Sequence, residues 1–125
     1  MTVMRVLAQQ EDQDCAIVAL AMVLGREYGD VLRVVTVADR HQGKRGLWTR
    51  TIQRVAKRLG VPLKRRRAID WSDDCGILLL PDHAAVLWNG LVVDNLTIWD
   101  CDVYLADRHL EPHDCELLTY DESPL

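Results

Sequence analysis

The sequence predicts an α+β fold in which N-terminal helices pack on a C-terminal antiparallel sheet. Three observations point there. Residues 15–24 (CAIVALAMVL) are apolar on nearly every face and stop at Gly25, the pattern of a buried helix. Trp48, Ile52, Val55 and Leu59 recur at helical spacing and stop at Gly60. Two apolar runs, AAVLW and LVVDN, flank Asn89-Gly90, a pair that favours a two-residue hairpin turn. Helical patterns therefore come first and strand patterns second.

Taken in order, Met4 to Leu7 can form a short strand, and residues 10–14 (QEDQD) read as a polar loop. Asp14 is a plausible N-cap of the helix that begins at Cys15, with Gly25 as its C-cap. A second helix is expected over 29–41, capped by Asp30, with Val31, Leu32, Val34 and Val35 as its apolar side. The helix over 48–59 is amphipathic, with Arg50, Arg54, Lys57 and Arg58 opposite its apolar stripe. LKRRRAI, after Pro62, suits an edge strand. ILLL (77–80) suits a buried strand that ends at Pro81. A short helix is expected over 102–109 and a last strand over 116–120 (ELLTY).

The chain has 125 residues, the size of a single domain spanning 1–125, and with 49% apolar and 27% charged residues it has an ordinary globular balance. No stretch reaches the length of a membrane span, and the first residues lack the features of a secretory signal. A cytoplasmic location is therefore expected. In that setting Cys15, Cys75, Cys101 and Cys115 suit free thiols, a metal site or a nucleophile better than disulfides. The net charge of −4 is unevenly spread: residues 44–67 carry ten basic and no acidic side chains, whereas residues 68–125 carry thirteen acidic ones against Arg108 alone.

Three polar residues fall where chemistry needs them. Cys15 sits in the first turn of the buried helix, where free N–H groups favour a thiolate. His83 opens the first hairpin strand and Asp94 closes the second, so the Asn89-Gly90 turn brings them to one end of the hairpin. An imidazole beside a thiol can move its proton, and a carboxylate can fix the ring's tautomer. Gln9, six residues before Cys15, could donate an amide to an oxyanion together with the Cys15 N–H, although Gln10 and Gln13 are close enough to serve instead. Glu11, Asp12 and Asp14 must face solvent or cap the helix, since carboxylates aimed at a thiol oppose its ionisation. A plain buried helix cysteine is the bland alternative for Cys15, as a turn residue is for Asp94.

The run from Gln9 to Cys15, followed by AIVALAMVLG, resembles the start of papain-like cysteine peptidases, above all the bacterial double-glycine leader peptidases that process bacteriocins. Leu59-Gly60, His83 and Asp94 continue the likeness over roughly residues 7–96. The resemblance implies a papain-like fold, with Cys15 as nucleophile, His83 as general base, Asp94 as orienting residue and Gln9 as oxyanion donor. A peptide or protein substrate and no cofactor are expected, and the style of the sequence suggests a bacterial or phage source. Ala16 stands where the family usually has Gly, and Asn95 where it usually has Pro.

The expected reaction is hydrolysis of a peptide or amide bond through a thioester, with deamidation or transfer to an amine open to the same groups. Two rival signals remain. Cys101, His109, His113 and Cys115 are zinc-ligand types, but their spacing fits no common zinc module. The stripe Arg50, Arg54, Lys57, Arg58, Lys64, Arg65, Arg66 and Arg67 offers an acidic protein or a nucleic acid a docking surface, the basis of a non-catalytic adaptor reading; internal pairing with the acidic C-terminal half is the plainer expectation.

Overall fold

A computed structural model describes residues 15–35, 49–81 and 83–120. Among the described residues three helices come first: α1 (Cys15–Leu24), α2 (Tyr28–Val34) and α3 (Thr49–Arg58). They are followed by β1 (Leu63–Arg66), β2 (Cys75–Leu80), β3 (His83–Trp88), β4 (Leu91–Asp94) and β5 (Thr97–Asp100). The short helix α4 (Cys101–Asp107), a 3-10 turn (Pro112–Asp114) and β6 (Glu116–Tyr120) complete the order. Among the described residues, no helix is long and apolar enough to cross a membrane.

The six strands form one antiparallel sheet in the order β1-β6-β2-β3-β4-β5. Both of its faces are covered. Ile77, Ala84, Val86, Val93 and Leu118 pack against α1, α2 and α3, while Leu78, Leu80, Ala85, Leu87, Val92 and Leu117 pack beneath α4 with Tyr104, Leu105, Cys101 and Cys115. Unbroken apolar runs such as ILLL and AAVLW follow from this, because a strand buried on both sides has no solvent face to alternate toward. All residues from Cys15 to Val23 are buried, so α1 is the central helix of the first core. Gly25 (φ +65°) and Gly60 (φ +85°) end α1 and α3 in the left-handed conformation expected of C-caps.

The structure departs from the sequence reading in three places. The second helix begins at Tyr28 with Glu27 in the N-cap position; Asp30 lies in the first turn and bonds Arg33 at 2.8 Å rather than capping. Val35 is already extended, so the helix ends there, and the remainder of the expected helix over 36–41 lies outside the described residues. β5 was not anticipated. It follows a second tight turn, Asn95-Leu96, in which both residues have positive φ (44° and 70°) and Asp94 pairs with Thr97. That turn also accounts for Asn95: proline is locked near φ −65° and cannot open a turn of this hand. The expected strand over 4–7, Asp14, Trp48 and the glutamines at 9, 10 and 13 fall outside the described residues.

Candidate active site

α1 packs on β3 and β2 and delivers Cys15 at its N-terminal end, where the first backbone N–H groups have no partner within the helix. The Asn89-Gly90 turn (φ 48° and 86°) pairs Val86 with Val93 and Trp88 with Leu91. It therefore returns the chain so that Asp94 meets His83 across the rim of the sheet. His83 Nε2 lies 2.9 Å from Asp94 Oδ1 and 3.0 Å from Oδ2.

Asp94 holds two further partners, both from the α4 side. The Tyr104 hydroxyl donates to Oδ2 at 2.7 Å, and Arg108 Nη2 donates to the same oxygen at 3.0 Å. Burial opposes ionisation of Asp94, but hydrogen bonds from His83 and Tyr104, with the charges of His83 and Arg108, hold its carboxyl below the usual carboxylate range. The same burial, reinforced by the bond to Asp94, pushes the Tyr104 phenol upward.

His83 is the counterpart. Its bond to Asp94 raises it most and its hydrogen bond to Cys15 next; against the opposing effect of burial, the ring rises from 6.5 to about 9. At neutral pH the ring is therefore an imidazolium. With Nε2 given to Asp94, Nδ1 is the nitrogen left for the Cys15 sulfur. A small cleft of about 190 Å³, counting its open mouth, lies at this point. Cys15, Val18, Ala19 and Met22 form one wall, and Val93, Asp94 and Asn95 the other.

The structure thus brings together Cys15, His83 and Asp94, while Gln9, Gln10 and Gln13 lie outside the described residues. Sequence reasoning missed Tyr104 and Arg108. The available signal was their spacing of four on an expected helix that follows Asp94 closely, with Arg108 as the only basic residue of the acidic segment.

The rival clusters resolve differently. Cys101 and Cys115 are buried in the second core, and the Cys101 thiol donates to the Gly90 carbonyl at 3.1 Å; His109 and His113 are exposed. Among the described residues, no group of three or more His, Cys, Asp or Glu could hold a metal ion. Cys75 bonds Asn89 Oδ1 at 3.3 Å. In the basic stripe, Arg65 makes a two-pronged ion pair with Glu116, Arg66 reaches Asp74 at 2.6 Å and Arg67 reaches Glu116 at 3.7 Å. Arg58 donates to the Val34 carbonyl at 3.0 Å. Of the stripe, Arg65, Arg66 and Arg67 are therefore paired with the acidic C-terminal half.

The fold is similar to the crystal structure of a double glycine motif protease from an AMS/PCAT transporter in complex with the leader peptide, with a TM-score of 0.62 and 18% identity over 95% of this chain and 93% of that one. Among curated proteins, none matches. Residues 4–79 match the peptidase C39 family, a stretch that includes Cys15 and ends before His83. The match spans more than half of the chain, and the helices followed by an antiparallel sheet are those of the papain-like fold, so the protein belongs to the peptidase C39 family of cysteine peptidases.

Proposed function

We propose that this chain cleaves a peptide after a double-glycine motif, with Cys15, His83 and Asp94 as its catalytic triad. The observation that carries the reading is the shared position of His83, bonded through Nε2 to a buried carboxylate and interacting with the Cys15 sulfur at a helix N-terminus. The substrate class follows the protease of similar fold, which was solved with a leader peptide.

The chemistry follows from the protonation state. Because the ring is raised to about 9, His83 enters the reaction as an acid beside the Cys15 sulfur. The sulfur attacks the scissile carbonyl carbon, and the carbon–oxygen π pair moves to oxygen. The Cys15 N–H and the Gln9 amide are the proposed donors to that oxyanion. As the tetrahedral centre collapses, the C–N bond breaks, the imidazolium gives its proton to the leaving amine, and a thioester remains. Neutral His83 then takes a proton from water, whose oxygen replaces the sulfur. Asp94 keeps Nε2 protonated and Nδ1 directed at the thiol throughout.

The test is a pair of synthetic peptides that differ only in Gly-Gly or Ala-Ala at the scissile position. The reading expects cleavage after the second glycine of the first peptide alone, together with a mass adduct on Cys15 when the reaction is quenched in acid. Failure to cut either peptide, with no adduct, would overturn it.

A further inference from the structure

We propose that Tyr104 and Arg108 are positioning residues that clamp the Asp94 carboxylate from the α4 face of the sheet, fixing the His83 ring with Nε2 toward Asp94 and Nδ1 toward Cys15. The inference rests on the triad reading and adds to it the parts that make the triad rigid.

The argument starts from Asp94 itself. It is the last residue of β4 and precedes a turn whose two residues both have positive φ, so on its C-terminal side no regular ladder holds it beyond the pairing with Thr97. Both carboxylate oxygens lie almost equally far from His83 Nε2, at 2.9 and 3.0 Å, so that contact alone does not select one orientation of the carboxylate plane. Oδ2 is the oxygen that carries the other donors. The Tyr104 hydroxyl meets it at 2.7 Å and Arg108 Nη2 at 3.0 Å. Two donors on one oxygen fix the plane, and a fixed plane fixes the ring bonded to it.

The clamp is itself held. Tyr104 is fully buried, its ring meeting Trp99 edge-on at 5.8 Å and lying beneath the Arg108 guanidinium at 5.0 Å. Phenylalanine would fill the same space, so packing does not account for the hydroxyl aimed at Asp94. Arg108 sits just past the end of α4, where a cation also suits the helix dipole. The titratable and charged groups facing Asp94 are His83 from β3, Tyr104 from α4 and Arg108; Cys115 lies close enough to affect Tyr104 from the β6 side.

The test uses the whole chain labelled with 15N at histidine and 13C at aspartate carboxyls, in Tyr104→Phe, Arg108→Gln and Arg108→Lys variants, each checked for folding by urea denaturation. In the unsubstituted protein the neutral His83 ring above pH 10 should be the Nε2–H tautomer. Tyr104→Phe and Arg108→Gln should each raise the Asp94 titration by about one pH unit and admit the other tautomer, whereas Arg108→Lys should restore both signals. Unchanged Asp94 titration and unchanged tautomer in folded Tyr104→Phe and Arg108→Gln would overturn the inference and leave the triad intact. A His83 ring that already titrates near 6.5 in the unsubstituted protein would instead sink the triad reading, and the clamp with it.

Discussion

Two regions of this molecule hold a carboxylate against positively charged groups, and they do so with different consequences. Next to the edge strand β1, Glu116 of β6 meets Arg65 and Arg67 in the open. At the other end of the strand order, Asp94 of β4 meets His83, Tyr104 and Arg108 under α4. Both carboxyls are held below their ordinary range, Glu116 chiefly by its bonds to Arg65. Of the two, Asp94 is the one whose partner, the His83 ring, also bonds Cys15. Ion pairing alone therefore does not mark a site. The mark is a buried pair in which one member has a second, reactive neighbour.

The sharpest way to break this comparison is to remove the proposed nucleophile. Cys15→Ala should bring cleavage of the double-glycine peptide below detection while the chain stays folded, whereas Glu116→Gln should leave the rate unchanged; both are read by product formation under single-turnover conditions. Asp94→Asn keeps the shape and removes the charge. It should lower kcat by about 10²–10⁴-fold and move the His83 titration from about 9 back toward 6.5.

The two regions should also fail at opposite ends of the pH scale. His83 is raised on folding, so its contribution to stability is fully present below pH 6.5 and is lost as pH climbs through about 9. Unfolding by urea across that window should show a fall of about 3 kcal/mol, and His83→Ala should remove it. Glu116 is lowered, so its contribution is present above the ordinary carboxylate value and disappears only in acid; Glu116→Gln should not alter the alkaline fall.

β2 and β3 lie between the two regions, and Gly76 is the tight point of β2. A Cβ there would press into the Leu118 carbonyl and close on Leu117 Cδ1 at 3.2 Å. Because the obstacle is backbone, Gly76→Ala should destabilise the sheet by about 1–3 kcal/mol, measured as a shift in the urea midpoint with an unchanged slope. The smallest effect belongs to the exposed edge: Arg65→Ala should leave the alkylation rate of Cys15 unchanged, and moderate salt should erase any difference in stability.

How much of this was legible in the sequence differs between the same two regions. α1, α3 and the β3–β4 hairpin announced themselves through an apolar run, a helical stripe and an Asn-Gly pair, and with them came the meeting of Cys15, His83 and Asp94. The α4 side was harder to read. β5 is short, its residues Thr97 and Ile98 are exposed, and it follows a turn whose second position is leucine, a residue without turn character. Since that turn sets where α4 starts, the approach of Tyr104 and Arg108 to Asp94 could not be drawn from local pattern. The covering of the second sheet face by α4 was hinted at by the unbroken apolar strands, but a run such as ILLL does not say which element lies over it.

The central claim is that His83 activates Cys15, and the most direct measurement is the rate of Cys15 alkylation by iodoacetamide against pH, followed by peptide mapping, with His83→Ala as the control. The other buried thiols will not confuse it: burial pushes Cys115 up to about 11 and raises Cys101 as well. The account predicts that His83→Ala slows modification of Cys15 near neutral pH by at least about tenfold and changes the shape of its pH curve. Identical pH curves in the two proteins would contradict it.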